Sequence, residues 1–328
     1  MSEAPQRRLR LPGPAFELLG LLAVLAALVA AFSLSTERFL TLLTLRTIAN
    51  QVPEAVIVAV GLTFVLVVAG IDLSVGSVLA LSSAVLGVSM LRLELGLFPG
   101  ALLALATGLV CGAVNGILSV RFALPSFIVT LGTLEMARGG TYLVTRSQTQ
   151  YVGAAVEVLN EASVLGLSLP FLGAVALVAL GQLVLSRTVF GRHAAAIGTN
   201  EEAVRLSGID PRPVKVAVFA VSGLCAGLAG IVYTARLASA DPNAAVGFEL
   251  QAIAAVVVGG TSLMGGRGSV VGSFLGVLII AVLGSGLAQA GAQEPTKRLV
   301  TGAVIVLAVV IDHFRRRARP EPDRGSEA

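Results

Sequence analysis

Ten apolar stretches follow one another along the chain, at about 16–33, 48–69, 75–91, 97–119, 126–145, 169–186, 213–235, 250–264, 270–288 and 297–312, and most charges lie in the breaks between them. Stretch after stretch of about 18 or more residues nearly free of charge is the pattern of helices crossing a membrane repeatedly. A water-soluble core raises the apolar fraction without producing such runs. Only 13% of the residues are charged, against roughly 25% in an ordinary soluble domain. The sequence therefore predicts an all-α, polytopic membrane helix bundle of about ten transmembrane helices. Several stretches are short or rich in Gly. Broken helix ends survive at membrane depth only where protein or a wet cavity satisfies their backbone groups.

Charge assigns the sides. With the N-terminus inside and strict alternation, fifteen of the 23 basic residues fall inside, among them Arg7, Arg8, Arg10, Arg187, Arg192, Arg205, Arg212, Lys215, Arg267 and Arg315. The other eight lie outside or within spans. Basic residues collect on the cytoplasmic side of membrane proteins. Both termini are therefore expected in the cytoplasm, with an even number of spans, ten or eight. The net charge of +4 and the pI of about 9.6 then report orientation rather than nucleic-acid binding. Tyr142, Tyr151 and Tyr233 fall near outer span ends, where aromatic anchors belong. The first stretch follows a cluster of arginines, as a signal peptide would, but it is long and more spans follow, so it reads as an uncleaved helix. The expected organisation is a cytoplasmic segment over 1–15, a transmembrane domain over 16–312, and a charged, Pro-containing cytoplasmic tail over 313–328.

Two segments share a pattern. VVAGIDLSVGS (67–77) and VVVGGTSLMGGRGS (256–269) each end a valine-rich stretch in a Gly-rich polar break, which an internal repeat of the transporter kind would explain. Gly70, Asp72, Ser74 and Gly76 in the first, with Gly259, Gly260, Gly265 and Gly266 in the second, mark a candidate broken-helix and translocation region. Asp72 is costly in lipid and is placed to cap the following helix through Ser74 or nearby amides. Gly268, Gly272 and Gly276 set small residues on one helical face, which lets helices approach closely. Glu135 and Arg138, three residues apart, share a face and are expected to pair. Asn115, Ser126 and Thr130 are polar positions on spans that suit helix packing or a path wall.

The longest inside loop, 187–215, carries a short helix in its middle. Asn200 is a good N-cap, and Glu201 and Glu202 sit where the helix dipole favours negative charge. Ala203 continues the turn, Arg205 lies in the last turn, and Gly208 suits a left-handed C′ position. Val204 and Leu206, with Ile209 beyond, offer apolar contacts. Such a helix is a handle for a cytoplasmic partner.

GIDLSVGS (70–77), LPSFIVTLGT (124–133), GRHAAAIGTNEEAVRLSGID (191–210) and VVVGGTSLMGGRGSVVGSFLGV (256–277) resemble, in this order, the permease subunits of ribose-type ATP-binding-cassette sugar importers. The resemblance covers about 45–312. It implies that Asn200–Gly208 is the helix that couples to the ATPase. It also implies a second permease copy or a paralogue, a cytoplasmic ATP-binding-cassette ATPase, and a periplasmic or lipid-anchored sugar-binding protein as partners, all in the cell inner membrane setting. No cofactor is expected on this chain; ATP and Mg belong to the ATPase.

Absent motifs agree. Neither Lys215 nor Lys297 completes a nucleotide-binding GK[ST]. His193 and His313 offer no zinc spacing, and Cys111 and Cys225 read as small packing residues inside spans. The glycine cluster around Arg267 reads as a tight turn rather than a phosphate cradle. The alternative left by the residues alone is a secondary transporter driven by an ion gradient, for which acids at membrane depth, Glu135 first, would be the working groups.

Overall fold

The computed structural model describes residues 14–36 and 39–317. Most of the expected N-terminal segment and the tail from 318 lie outside the described residues. α1 (Pro14–Ser35) is followed by α2 (Leu42–Gln51), whose first turn is capped by Thr41 Oγ1 accepting from the Thr44 amide. α3 (Pro53–Val67) starts at a proline, which has no N–H to continue α2, and the two helices bend by 48°. After the break come α4 (Val75–Leu91), α5 (Leu97–Arg121) and α6 (Ser126–Thr145). β1 (Gln150–Tyr151), α7 (Ala154–Glu161), β2 (Ser163–Val164) and β3 (Leu167–Ser168) form a small cap. α8 (Leu169–Arg187), α9 (Val189–Thr199) and α10 (Glu201–Leu206) lead to α11 (Arg212–Leu237) and β4 (Ser239–Ala240). α12 (Phe248–Val258), α13 (Val270–Gln289) and α14 (Glu294–Arg317) complete the described chain.

The expected helical bundle is present, with four two-residue strands added to it. β1 pairs antiparallel with β4, Gln150 opposite Ala240, and β2 pairs antiparallel with β3. These hairpin-sized ladders gather at the end of the bundle opposite α10. α3 is the centre of the molecule. Nearly every residue from Pro53 to Val67 is buried, which is how a helix apolar on all sides must sit. α8, α11, α12 and α13 surround it.

α5 and α11 meet along glycines. A Cβ on Gly112 would fall on the Phe219 carbonyl, and one on Gly108 on that of Gly223. The predicted small face of α13 packs in the same way, with Gly272 against Gly259 and Gly276 against Ala255. In lipid, where apolar surface gains nothing by leaving the solvent, such close backbone approach is what holds helices together.

Five helices, α1 from Glu17, α5, α8, α11 and α13, are long and apolar enough to cross a membrane, or six if the bent α2–α3 pair is one span. That is fewer than the ten expected. The other expected stretches coincide with α4, α6, α12 and α14. α4 and α12 are short apolar helices. α12 stops at Val258 where the Gly259–Gly260 break begins, so the expected stretch to 264 is helical only in its first part. Glu135 and Arg138 dilute the apolarity of α6, and charges at both ends do the same to α14.

Candidate functional site

Residues 68–74 leave α3 without helical structure and run back into the bundle. Their polar groups are satisfied by side chains of the surrounding helices. Ser126 Oγ accepts the Ile71 amide at 2.9 Å, and Thr130 Oγ1 accepts the Leu73 amide at 3.1 Å. Asp72 is fully buried. Its Oδ1 accepts both the Ser74 amide (3.0 Å) and the Ser74 hydroxyl (2.6 Å), and its Oδ2 accepts the Ser222 hydroxyl of α11 (2.8 Å). Asn115 of α5 donates to Ser74 Oγ at 3.0 Å and accepts from Thr133 of α6 at 2.5 Å. One connected chain of hydrogen bonds therefore joins α4, α5, α6 and α11 through the break. Asp72 caps as the sequence suggests, through an Asx-type bond to the residue two ahead. Asn115, Ser126 and Thr130 hold the break rather than line an open surface.

The second break, 259–269, is built likewise. Gln182 Oε1 of α8 accepts the Val271 amide and the Ser269 hydroxyl, both at 3.2 Å, and Ser269 Oγ caps Gly272. Thr63 of α3 donates to Ser273 at 2.7 Å. Gly265 and Gly266 both take positive φ, +83° and +76°, in a turn closed by Gly265 N–H on the Ser262 carbonyl. The predicted tight turn around Arg267 is thus present.

The two breaks and α9 meet at one junction. The Gly266 amide donates to the Val67 carbonyl at 2.9 Å, joining the second break to the end of α3. Gly198 of α9 lies so close that an added Cβ would strike that same carbonyl. A Cβ on Gly265 would be 2.7 Å from both Ala69 Cβ and the Gly198 carbonyl. A cleft of about 430 Å³ opens beside this junction between α1, α8 and the second break, with Glu17, Gln182, Arg267 and Ser269 on its wall.

α10 follows α9 directly. Asn200 Oδ1 accepts the Ala203 amide at 2.9 Å, and Gly208 takes φ +85°. Glu202 pairs with Arg205 at 2.7 Å, and Glu201 with Lys215 of α11 at 2.9 Å. Val204 is buried, whereas Leu206 is 79% exposed. The sequence offers both as apolar contacts; only Val204 anchors the helix to its own bundle, and Leu206 points away from it.

Midway along α6 the expected Glu135–Arg138 pair does not form. The Arg138 guanidinium instead donates to the carbonyls of Pro242 (3.0 Å) and Ala244 (2.7 Å) in the turn before α12. Glu135 is exposed, and among the described residues no hydrogen bond or ion pair reaches it. Sequence reasoning also missed the Glu54–Arg236 ion pair at 2.6 Å, which ties the start of α3 to the end of α11, and the roles of Ser222, Thr133 and Gly198. Their partners lie far away in the chain, and no local signal marks them. Among the described residues no group of His, Cys, Asp and Glu could hold a metal, and both cysteines are free.

A helical bundle with two interrupted helices packed at its centre, their breaks closed by protein side chains, is the build of a membrane transport protein. Residues 44–309 match the family described as branched-chain amino acid transport system / permease component, and the chain belongs to this permease family. It is 40% identical over 302 residues to the ribose import permease protein RbsC of Escherichia coli, covering 90% of this chain and 93% of that protein. It is 38% identical to the D-allose transport system permease protein AlsC of Escherichia coli, covering 90% and 91%. The fructose import permease protein FrcC of Rhizobium meliloti is 34% identical, covering 90% and 85%. No solved structure matches the chain.

Proposed function

We propose that this chain is the permease subunit of an ATP-binding-cassette importer that moves a monosaccharide across the cytoplasmic membrane. The observation that carries the reading is the junction at the α10 end. α10 is a capped helix exposed on one side, and the helix before it rests on the end of α3 and on the break after α12. A displacement of α9 and α10 is therefore a displacement of both interrupted helices. ATP and Mg are held by a separate ATPase, which receives Leu206 and the charged side of α10. A second permease copy or a paralogue completes the path, and a sugar-binding protein docks at the opposite end. The relatives' names, ribose, allose and fructose, support a small neutral sugar.

Ten crossings with both termini in the cytoplasm complete the reading. α1 begins beside the cleft at the α10 end, and α14 starts at the far end and runs back. The test is co-purification from membranes in mild detergent, followed by uptake in vesicles that carry ATPase, binding protein and sugar. Deleting Glu201–Leu206 is expected to release the ATPase and abolish ATP-driven uptake while the protein still inserts. Normal uptake by that variant, or uptake by the isolated chain driven by an ion gradient, would defeat the proposal.

A further inference from the structure

α6 carries an acid where a lipid-facing helix cannot keep one. Glu135 stands at the middle of the twenty residues Ser126–Thr145, exposed and without a partner among the described residues. A carboxylate at the centre of a bilayer costs about 2.5–3.5 kcal/mol even by the mildest measure. The surface around it is open. Gly132 and Gly139, one turn to either side on the same face, have no atom within reach of an added Cβ. Between Leu97 and Val120 of α5, by contrast, the exposed residues are all apolar, Leu102, Leu109 and Ile117 among them.

A second observation points the same way. Tyr142 and Arg138 continue the Glu135 face toward the end opposite α10, and both hold the non-helical turn 241–247. Tyr142 donates to Asn243 at 2.8 Å, and Arg138 binds the Pro242 and Ala244 carbonyls. Arg138 lies seven residues, about 10 Å, before the end of α6, and its bonds with that of Tyr142 hold the turn against the last two turns of the helix. Irregular backbone at such depth is tolerated only inside protein or against water. Asn243 is exposed, and Val246 is 70% exposed. Pro242 and Ala244 are buried, so the turn is closed by protein where Arg138 binds it and open at Asn243, beside Tyr142.

We infer that this face of α6, from Tyr142 down to Glu135, is a wall of the hydrated solute path, with the Glu135 carboxylate accepting hydrogen bonds from paired hydroxyls of the passing sugar. The inference rests on the importer reading and adds to it the wall and the contact group. Gly132 and Gly139 leave the space that a sugar ring needs beside the carboxylate. A carboxylate with four lone-pair sites suits a neutral vicinal diol, and the charge strengthens each bond.

The test uses the assembled transporter in membranes, with Cys111 and Cys225 replaced by Ala. In that background Glu135→Cys is expected to react from the outer side with a charged, membrane-impermeant methanethiosulfonate, and the solute to slow the reaction. Leu109→Cys on the apolar face of α5 is expected to stay unmodified. Glu135→Gln in the otherwise unaltered complex is expected to insert, bind ATPase and lose about tenfold in uptake rate, the equivalent of one charge-assisted hydrogen bond. An unreactive Glu135→Cys, or full uptake by Glu135→Gln, would overturn the inference while leaving importer function standing if the unsubstituted complex transports with ATP. Failure of the unsubstituted complex to transport would instead strike the importer reading itself.

Discussion

At the residue scale the decisive group is Asp72, because both of its oxygens accept hydrogen bonds inside the bundle. Replacing it by Ala leaves the Ser74 amide, the Ser74 hydroxyl and the Ser222 hydroxyl facing a buried gap. An unsatisfied buried polar group costs roughly 1–3 kcal/mol, so Asp72→Ala is expected to lower stability by about 3 kcal/mol or more. Asp72→Asn keeps one acceptor oxygen and is expected to lose about half as much. Thermal melting of the purified proteins in detergent distinguishes the cases, and equal melting of Asp72→Ala and the unsubstituted chain would exclude the capping role. A second contrast concerns glycines. Gly198→Ala would drive a methyl into the Val67 carbonyl, whereas Gly132→Ala meets nothing within this chain. Gly198→Ala is therefore expected to melt well below the unsubstituted protein, and Gly132→Ala to melt within about 0.5 kcal/mol of it.

At the scale of elements, α10 is too short to stand alone, since isolated helices of fewer than about 12 residues are marginal in water. Its geometry depends on the Asn200 cap, the Glu201–Lys215 bond to α11 and the buried Val204. Asn200→Ala is expected to cost about 1 kcal/mol locally and to lower uptake several-fold. Leu206→Asp is expected to leave melting unchanged, because Leu206 is exposed, and yet to let the bound ATPase hydrolyse ATP without uptake. Parallel assays of ATP hydrolysis and uptake check this, and coupled transport by Leu206→Asp would remove that face of α10 from the contact. α10 was legible in the sequence because helix caps are local: Asn200, Glu201, Glu202 and Gly208 lie within nine residues. The breaks were legible for the same reason, as glycines ending valine runs. What closes them was not. Asp72 and Ser222 are 150 residues apart and Thr63 and Ser273 are 210 apart. Arg138 was misassigned because a neighbour three residues away was visible and the carbonyls of Pro242 and Ala244 were not.

At the scale of the whole molecule, the shortness of α12 bears on how many times the chain crosses. Eleven helical residues span about 16 Å, roughly half of a 30 Å hydrocarbon core. The rest is left to the irregular turn 241–247, which Arg138 and Tyr142 hold against the last two turns of α6 before α12 begins. α4, with 17 residues, rises about 26 Å after its own break has climbed back from the α10 end. The proposed ten crossings therefore require each short helix to be completed by irregular backbone that side chains satisfy, because only five or six helices are long and apolar enough by themselves. Ten crossings put α7 on the side opposite to α10 and opposite to the start of α1. In a cysteine-free background, Glu161→Cys at the end of α7 is expected to react with an impermeant thiol reagent in intact cells, and Glu202→Cys only after the membrane is opened. Both side chains are exposed, so reactivity reports the side rather than burial. The reverse pattern would invert the orientation and move the ATPase contact to the wrong face. Reaction of both in intact cells would place α7 and α10 on one side, which an odd number of crossings between them requires to be false.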